Sequence, residues 1–189
     1  MKQAKVISET EMKRLLNVIS ASRYAERNRF IVSLSFFGGL RVGEISTLLV
    51  GDLFDANGGV KDQIRLKAQN TKANEARAVF VNNKLRKEAE IYLQSLNQPI
   101  MPENPLFLTQ KRKAFTANTM CQLFTELYSK AGIDGASSHS GRRWFITRMA
   151  HSGISAKVIM TLAGHKHLST TQRYIDVNDE MLKQAVEIL

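Results

Sequence analysis

The apolar positions of this chain recur mostly at helical spacing, the pattern of helices that bury one face. Ser8 followed by Glu11 has the form of a capping box and opens a helix running to about Ser20. Phe30, Ile31, Leu34 and Phe37 mark a second helix, which the glycine pair at 38–39 should end. Val42, Ile45, Leu48 and Leu49 continue the same period in a third. The spacing then changes. The runs DQIRLKA and ARAVFVN are β-like, and QNTKANE between them is rich in turn residues, so this region predicts a hairpin. Helical spacing returns with Leu85, Ala89, Tyr92, Leu93 and Leu96, and the prolines of NQPIMPENP then make a loop. Met120, Leu123, Phe124, Leu127 and Ala131 define a further helix closed near Gly132. Two more are expected over 140–151 and 155–163, with Ser155 as an N-cap. Met181, Leu182, Ala185 and Val186 give the last segment an amphipathic pattern. No repeat or linker divides the chain. It reads as one mainly α domain, residues 1–189, with a small antiparallel β insertion.

Charge sharpens this picture. Lysine plus arginine outnumber aspartate plus glutamate by 27 to 17, giving +10 and a pI near 9.9. A domain this basic points first to a polyanion, above all nucleic acid, with a merely soluble basic surface as the plainer reading. Cys121 is the one cysteine, so no internal disulfide can form, and a reducing cytoplasm fits. Its neighbours Met120, Leu123 and Phe124 imply a packed thiol rather than a catalytic one. MKQAKVISETEM lacks the apolar stretch of a signal peptide, and no apolar run approaches membrane-spanning length, so no membrane role is expected.

Four stretches concentrate unusual polar residues. GGLRVGE sets Arg41 after a glycine break at a helix start, with Glu44 as a ready ion-pair partner. NTKANEAR places Lys72 in the hairpin turn. SSHSGRRW holds His139 and Arg142 three apart, near one helical face. LAGHKHLSTTQRYID carries His165, His167 and Tyr174. Singly, each has a plain explanation: an ion pair, a solvated lysine, a helix cap. His165 and His167 suggest a metal pair, but further ligands are wanting nearby. His151, Arg143 and His167 stay open as structural or DNA-contacting residues.

Together they match the needs of metal-free phosphodiester cleavage. Arginines suit the charged non-bridging oxygens of a pentacoordinate transition state, because the planar fork gives paired hydrogen bonds and stays ionised. A lysine can protonate the leaving alkoxide. A tyrosine, with a pKa of about 10, needs dense positive charge and a proton-accepting histidine to attack at neutral pH.

In their order, GGLRVGE, TKANEAR, HSGRR and LAGHKHLSTTQRY closely resemble the signature boxes of tyrosine recombinases, the phage-integrase family. The resemblance spans almost the whole chain and implies that family's catalytic-domain fold. It implies site-specific DNA recombination through a 3′-phosphotyrosine intermediate, needing neither metal nor ATP. It matches Arg41 and Arg142 to the two phosphate-binding arginines and Glu44 to the acidic residue supporting the first. Lys72 then matches the general acid toward the leaving 5′ oxygen, and Lys67 is its nearby rival. The spacing from Lys72 to Arg77 fits the family pattern better. His139 matches the proton shuttle, His165 the phosphate-bonding histidine and Tyr174 the nucleophile. The implied partners are a double-stranded DNA recombination site, further copies of the chain in a tetramer coupled through the C-terminal helix, and accessory DNA-bending proteins. The same terminal segment could instead pack on its own domain.

Departures from the pattern are local, with one exception. Gly141 and Arg143 stand where leucine and histidine are usual around the second arginine, so a looser helix start and extra charge are expected there. Most members also carry an N-terminal helical core-binding domain that helps clamp DNA, and here only about forty residues precede Arg41. That domain is expected to be absent, the chain being either the catalytic half or a compact single-domain member; the opening MKQAKVISETEM leans toward the latter. Two rivals remain: a helix-turn-helix DNA binder without catalysis, for which ISAKVIMTLAGHKHLSTTQRYI has the right rhythm, and a type IB topoisomerase.

Overall fold

In the computed structural model, which describes residues 4–70, 75–96, 101–175, 182–183 and 186–187, the Ser8 capping box closes as its sequence implies. Ser8 Oγ accepts from the Glu11 amide at 3.2 Å, and the Glu11 carboxylate accepts from the Ser8 amide at 3.0 Å. Helix α1 (Glu9–Ser20) then buries Met12, Leu15 and Ile19. Helix α2 (Ala25–Phe37) is buried almost all round, with Phe30, Ile31, Leu34 and Phe36 closed to solvent. Such a helix belongs at the centre of its fold. It packs against α1, α5 (Asn83–Ser95) and α7 (Ser140–His151).

The third expected helix is two short ones, α3 (Val42–Ser46) and α4 (Val50–Leu53). The chain leaves the helical path at Leu48 and Leu49 because both join the proline loop. Leu49 forms an antiparallel bridge with Pro105, and the Leu106 amide donates to the Leu48 carbonyl at 2.8 Å. Long-range backbone pairing overrides a local period here. The hairpin is as expected: β1 (Gln63–Leu66) pairs antiparallel with β2 (Arg77–Phe80), in a register that sets Leu66 opposite Arg77. One 3-10 turn (Ala68–Asn70) follows β1; Lys72 lies outside the described residues.

Helix α6 (Ala117–Lys130) is capped by Thr116, and α8 (Ala156–Ala163) by Ser155, whose hydroxyl accepts from the Val158 amide. A five-residue helix, α9 (Leu168–Gln172), completes the described elements. The expected amphipathic C-terminal segment falls largely outside the described residues. Among the described residues no helix is long and apolar enough to cross a membrane. The architecture is mainly α with a two-stranded antiparallel sheet, as the apolar pattern predicts.

Two apolar clusters form. The main core joins α1 to α6 with the hairpin, and a smaller one gathers Ile146, Ala150, Ile159 and Ala163 from α7 and α8. Gly141 lets α7 approach α2. A Cβ there would stand 2.5 Å from Ser35 Oγ and 2.8 Å from Phe36 Cδ2. This corrects the expectation that Gly141 loosens the helix start: α7 begins at Ser140, and the glycine is needed for contact between helices.

Candidate active site

The site starts from one buried carboxylate. Glu44, at the third position of α3, is 1% exposed and accepts from the Arg41 amide at 2.8 Å and from Arg41 Nη1 at 2.9 Å. Arg77 reaches it from β2, with Nη2 2.7 Å from Glu44 Oε2. Burial alone would raise the pKa of Glu44, but the charge and hydrogen bond of Arg77, together with Arg41, hold it below the ordinary carboxylate value. Glu44 is therefore ionised at neutral pH and fixes both guanidiniums.

Arg77 also donates through Nη1 to the Leu162 carbonyl at 2.9 Å, near the end of α8. Its side chain lies over Gly164, which takes a left-handed conformation at φ 63°. A Cβ on Gly164 would collide with Arg77 Cδ and sit 3.0 Å from its Nε. Next to it, Glu75 pairs with Lys166 at 3.2 Å. Strand β2 is thus tethered twice to the segment that carries His165.

Arg142, on the first turn of α7, is 5% exposed. Its Nη1 donates to the Gly39 carbonyl at 2.6 Å and its Nη2 to the Ala163 carbonyl. Burial pushes its pKa down to about 9, helped by the charges of Arg41 and Arg77, so it remains charged at neutral pH. One guanidinium thus ties the turn before Arg41 to the turn before His165. Two arginines share one carboxylate while a third lies close enough to feel their charge, and the surplus positive charge suits this pocket to an anion.

His165 and Tyr174 complete the cluster. Their rings stack with centroids 5.9 Å apart. His165 Nδ1 lies 2.9 Å from the hydroxyl of Thr171, which is fully buried. Burial, then the charges of Arg142, Arg41 and Arg77, push the His165 pKa down to about 4, so its ring is neutral at physiological pH. Tyr174 is half-buried against the small core, and the Arg143 guanidinium lies 5.7 Å from its ring centroid.

The fold therefore brings together Arg41, Glu44, Arg142, His165 and Tyr174, drawn from boxes far apart in the chain. His139 stands exposed at the N-cap of α7, one turn before Arg142, without a side-chain cap bond. Lys67 is exposed just beyond β1, and His167 is exposed at the N-cap of α9. The α8–Gly164–α9 unit does have helix-turn-helix rhythm, yet α9 turns Thr171 into the protein rather than outward. Two residues of the cluster had no role from sequence. Arg77 served only as a spacing mark, and Thr171 was one hydroxyl in a run of three.

Residues 5–181 match the model of the phage integrase family. The chain is 33% identical over 187 residues to tyrosine recombinase XerA of Pyrococcus furiosus (strain ATCC 43587 / DSM 3638 / JCM 8422 / Vc1), covering 97% of this chain and 61% of that protein. A crystal structure of XerA recombinase superposes with a TM-score of 0.77 at 28% identity, covering 98% of this chain and 65% of that one. The Tn1549 transposon integrase, solved in complex with a circular intermediate DNA, gives 0.78 at 18% identity, covering 100% and 67%. The fold is that of tyrosine recombinase catalytic domains. The chain belongs to the phage integrase family, and it spans 61% of the length of the XerA relative.

Proposed function

We propose that this chain cuts and rejoins double-stranded DNA at a specific recombination site, with Tyr174 as nucleophile. The phenol oxygen attacks the scissile phosphorus, the phosphorus–5′ oxygen bond breaks, and a 3′-phosphotyrosine ester forms. Attack by the 5′ hydroxyl of a second strand reverses the step without ATP, because the ester conserves the bond. Arg41 and Arg142 hold the non-bridging oxygens, His165 donates to one of them, His139 takes the phenolic proton, and Lys72 protonates the leaving oxygen. Glu44 orients Arg41. The partners we propose are the DNA site, further copies of the chain in a tetramer coupled through the C-terminal segment, and accessory DNA-bending proteins. We place the reaction in the cytoplasm, where a chain with one thiol has no disulfide to form.

One observation carries this reading. Arg41 and Arg142, far apart in sequence, share a single cationic pocket with His165 and the Tyr174 ring. An anion bound there would meet preorganised donors beside a phenol. The relatives named as recombinases point the same way.

The test is covalent trapping. The protein is incubated with a nicked recombination site, denatured in SDS and examined for protein-linked DNA. The adduct should form in EDTA and vanish in Tyr174→Phe; an adduct that survives this substitution removes Tyr174 as the nucleophile. Strand exchange between two defined sites, rather than relaxation of plasmids lacking any such site, separates a recombinase from a topoisomerase.

A further inference from the structure

The hydroxyl of Thr171 is a buried donor in need of an acceptor. Thr171 is 0% exposed, and among the described residues its hydroxyl has one hydrogen-bond partner, Nδ1 of His165 at 2.9 Å. A threonine elsewhere in this chain returns its proton to a carbonyl one helical turn back, as Thr125 does to Cys121 and Thr161 does to Lys157. Thr171 does not, because its side chain is turned to the imidazole. Bulk water cannot reach an oxygen at this depth, so the proton has one protein atom to bind. A neutral imidazole has one protonated and one bare nitrogen, and the nitrogen that accepts must be the bare one.

We propose that Thr171 is a positioning residue: its hydroxyl donates to Nδ1 of His165 and thereby fixes the tautomer that carries the ring proton on Nε2. The bond also sets the ring plane, since Thr171 lies on α9 while His165 is anchored separately by its amide, which donates to the Met160 carbonyl at 3.0 Å. Were the proton on Nδ1 instead, Nε2 would present a lone pair to a pocket suited to an anion, one donor would give way to repulsion, and the Thr171 proton would lose its acceptor. With Nε2 protonated, His165 becomes one more fixed N–H beside the guanidiniums of Arg41 and Arg142. The neutral state of the ring agrees with this, because a doubly protonated imidazole could not accept from Thr171. The catalytic half of the inference rests on the reading above; the tautomer itself does not.

The two parts are tested separately. Nuclear magnetic resonance of histidine labelled with nitrogen isotope, in the folded chain at neutral pH, reports which ring nitrogen of His165 is protonated, and His165→Gln identifies its signals. The Nε2–H tautomer is expected in the parent chain and in Thr171→Ser, and a mixture of tautomers in Thr171→Val. A predominantly Nδ1–H ring in the parent, or a Thr171→Val spectrum unchanged from it, overturns the proposal. In single-turnover cleavage, Thr171→Val should slow the chemical step by roughly tenfold or more, as loss of a group orienting an active-site imidazole does elsewhere. DNA affinity should hold, and Thr171→Ser should restore the rate. Equal loss in Thr171→Ser and Thr171→Val would reduce Thr171 to packing and overturn its positioning role. If no variant cleaves, the parent included, while the spectra come out as expected, the recombinase reading fails and the tautomer assignment stands.

Discussion

Arg41, Glu44, Arg77 and Arg142 are rooted in or against the main core, whereas Tyr174 rests on the small one. On the first side each polar group is held by another: carboxylate by two guanidiniums, guanidinium by two carbonyls. On the second side a five-residue helix delivers the phenol, supported by Ile146, Ala150, Ile159 and Ala163 and by contacts with His165 and Arg143. A helix well short of the ~12 residues that stand alone in water depends wholly on such contacts. The difference assigns rigidity and mobility. Electrostatic preorganisation works only where donors cannot relax, and local opening begins where few apolar contacts must be broken.

The sharpest way to break this comparison is Glu44→Ala. It strands two partly buried guanidiniums, of which Arg77 is the more enclosed, and should lower global stability by about 2–4 kcal/mol in denaturant titration. A loss under about 1 kcal/mol would place the carboxylate among ordinary surface pairs and erase the distinction. Next is Arg41→Ala, which removes a more open side chain and should cut cleavage by about a hundredfold while leaving stability nearly intact. A loss of less than about threefold would argue against its donor role. Gly141→Ala probes the seam between α7 and α2, and thermal unfolding should report about 1–3 kcal/mol of overpacking.

The smallest effect is a pH slope. Between 6.5 and about 4 the unfolded chain takes up a proton on His165 that the folded chain refuses. Stability should therefore fall as pH drops through that window and recover fully above it. Glu44, whose folded pKa lies below 4.5, adds its own loss only at lower pH, so the window above 4.5 reads His165. His165→Gln should flatten the slope there, and an unchanged slope would assign it elsewhere.

Much of this is legible in the sequence. Ser8 and Ser155 announce helix starts because capping is a local contract between a hydroxyl and an amide a few residues on. The hairpin was visible for a similar reason, through turn residues between β-like runs. The boxes single out Arg41, Arg142, His165 and Tyr174, and the fold gathers these four in one cluster. Arg77 escaped, since nothing local distinguishes a strand arginine that meets a buried carboxylate from one that meets solvent. Thr171 escaped because its burial depends on how α9 docks. Gly141 was misread for the converse reason: its local effect is to soften a helix, but the space it leaves is filled by Ser35 and Phe36 from another one. The break at Leu48 was hidden by a pairing with residues near Pro105, which no window around Leu48 contains.

Arg142 grips carbonyls 103 positions behind it and 21 ahead, so its pocket is knitted from stretches that leave the ribosome at widely separated times. Contacts of such sequence separation are among the last to close in a folding chain. A nascent polypeptide stalled before Ala163 has emerged holds Gly39 and Arg41 but cannot yet close the second of the two bonds that seat the Arg142 guanidinium.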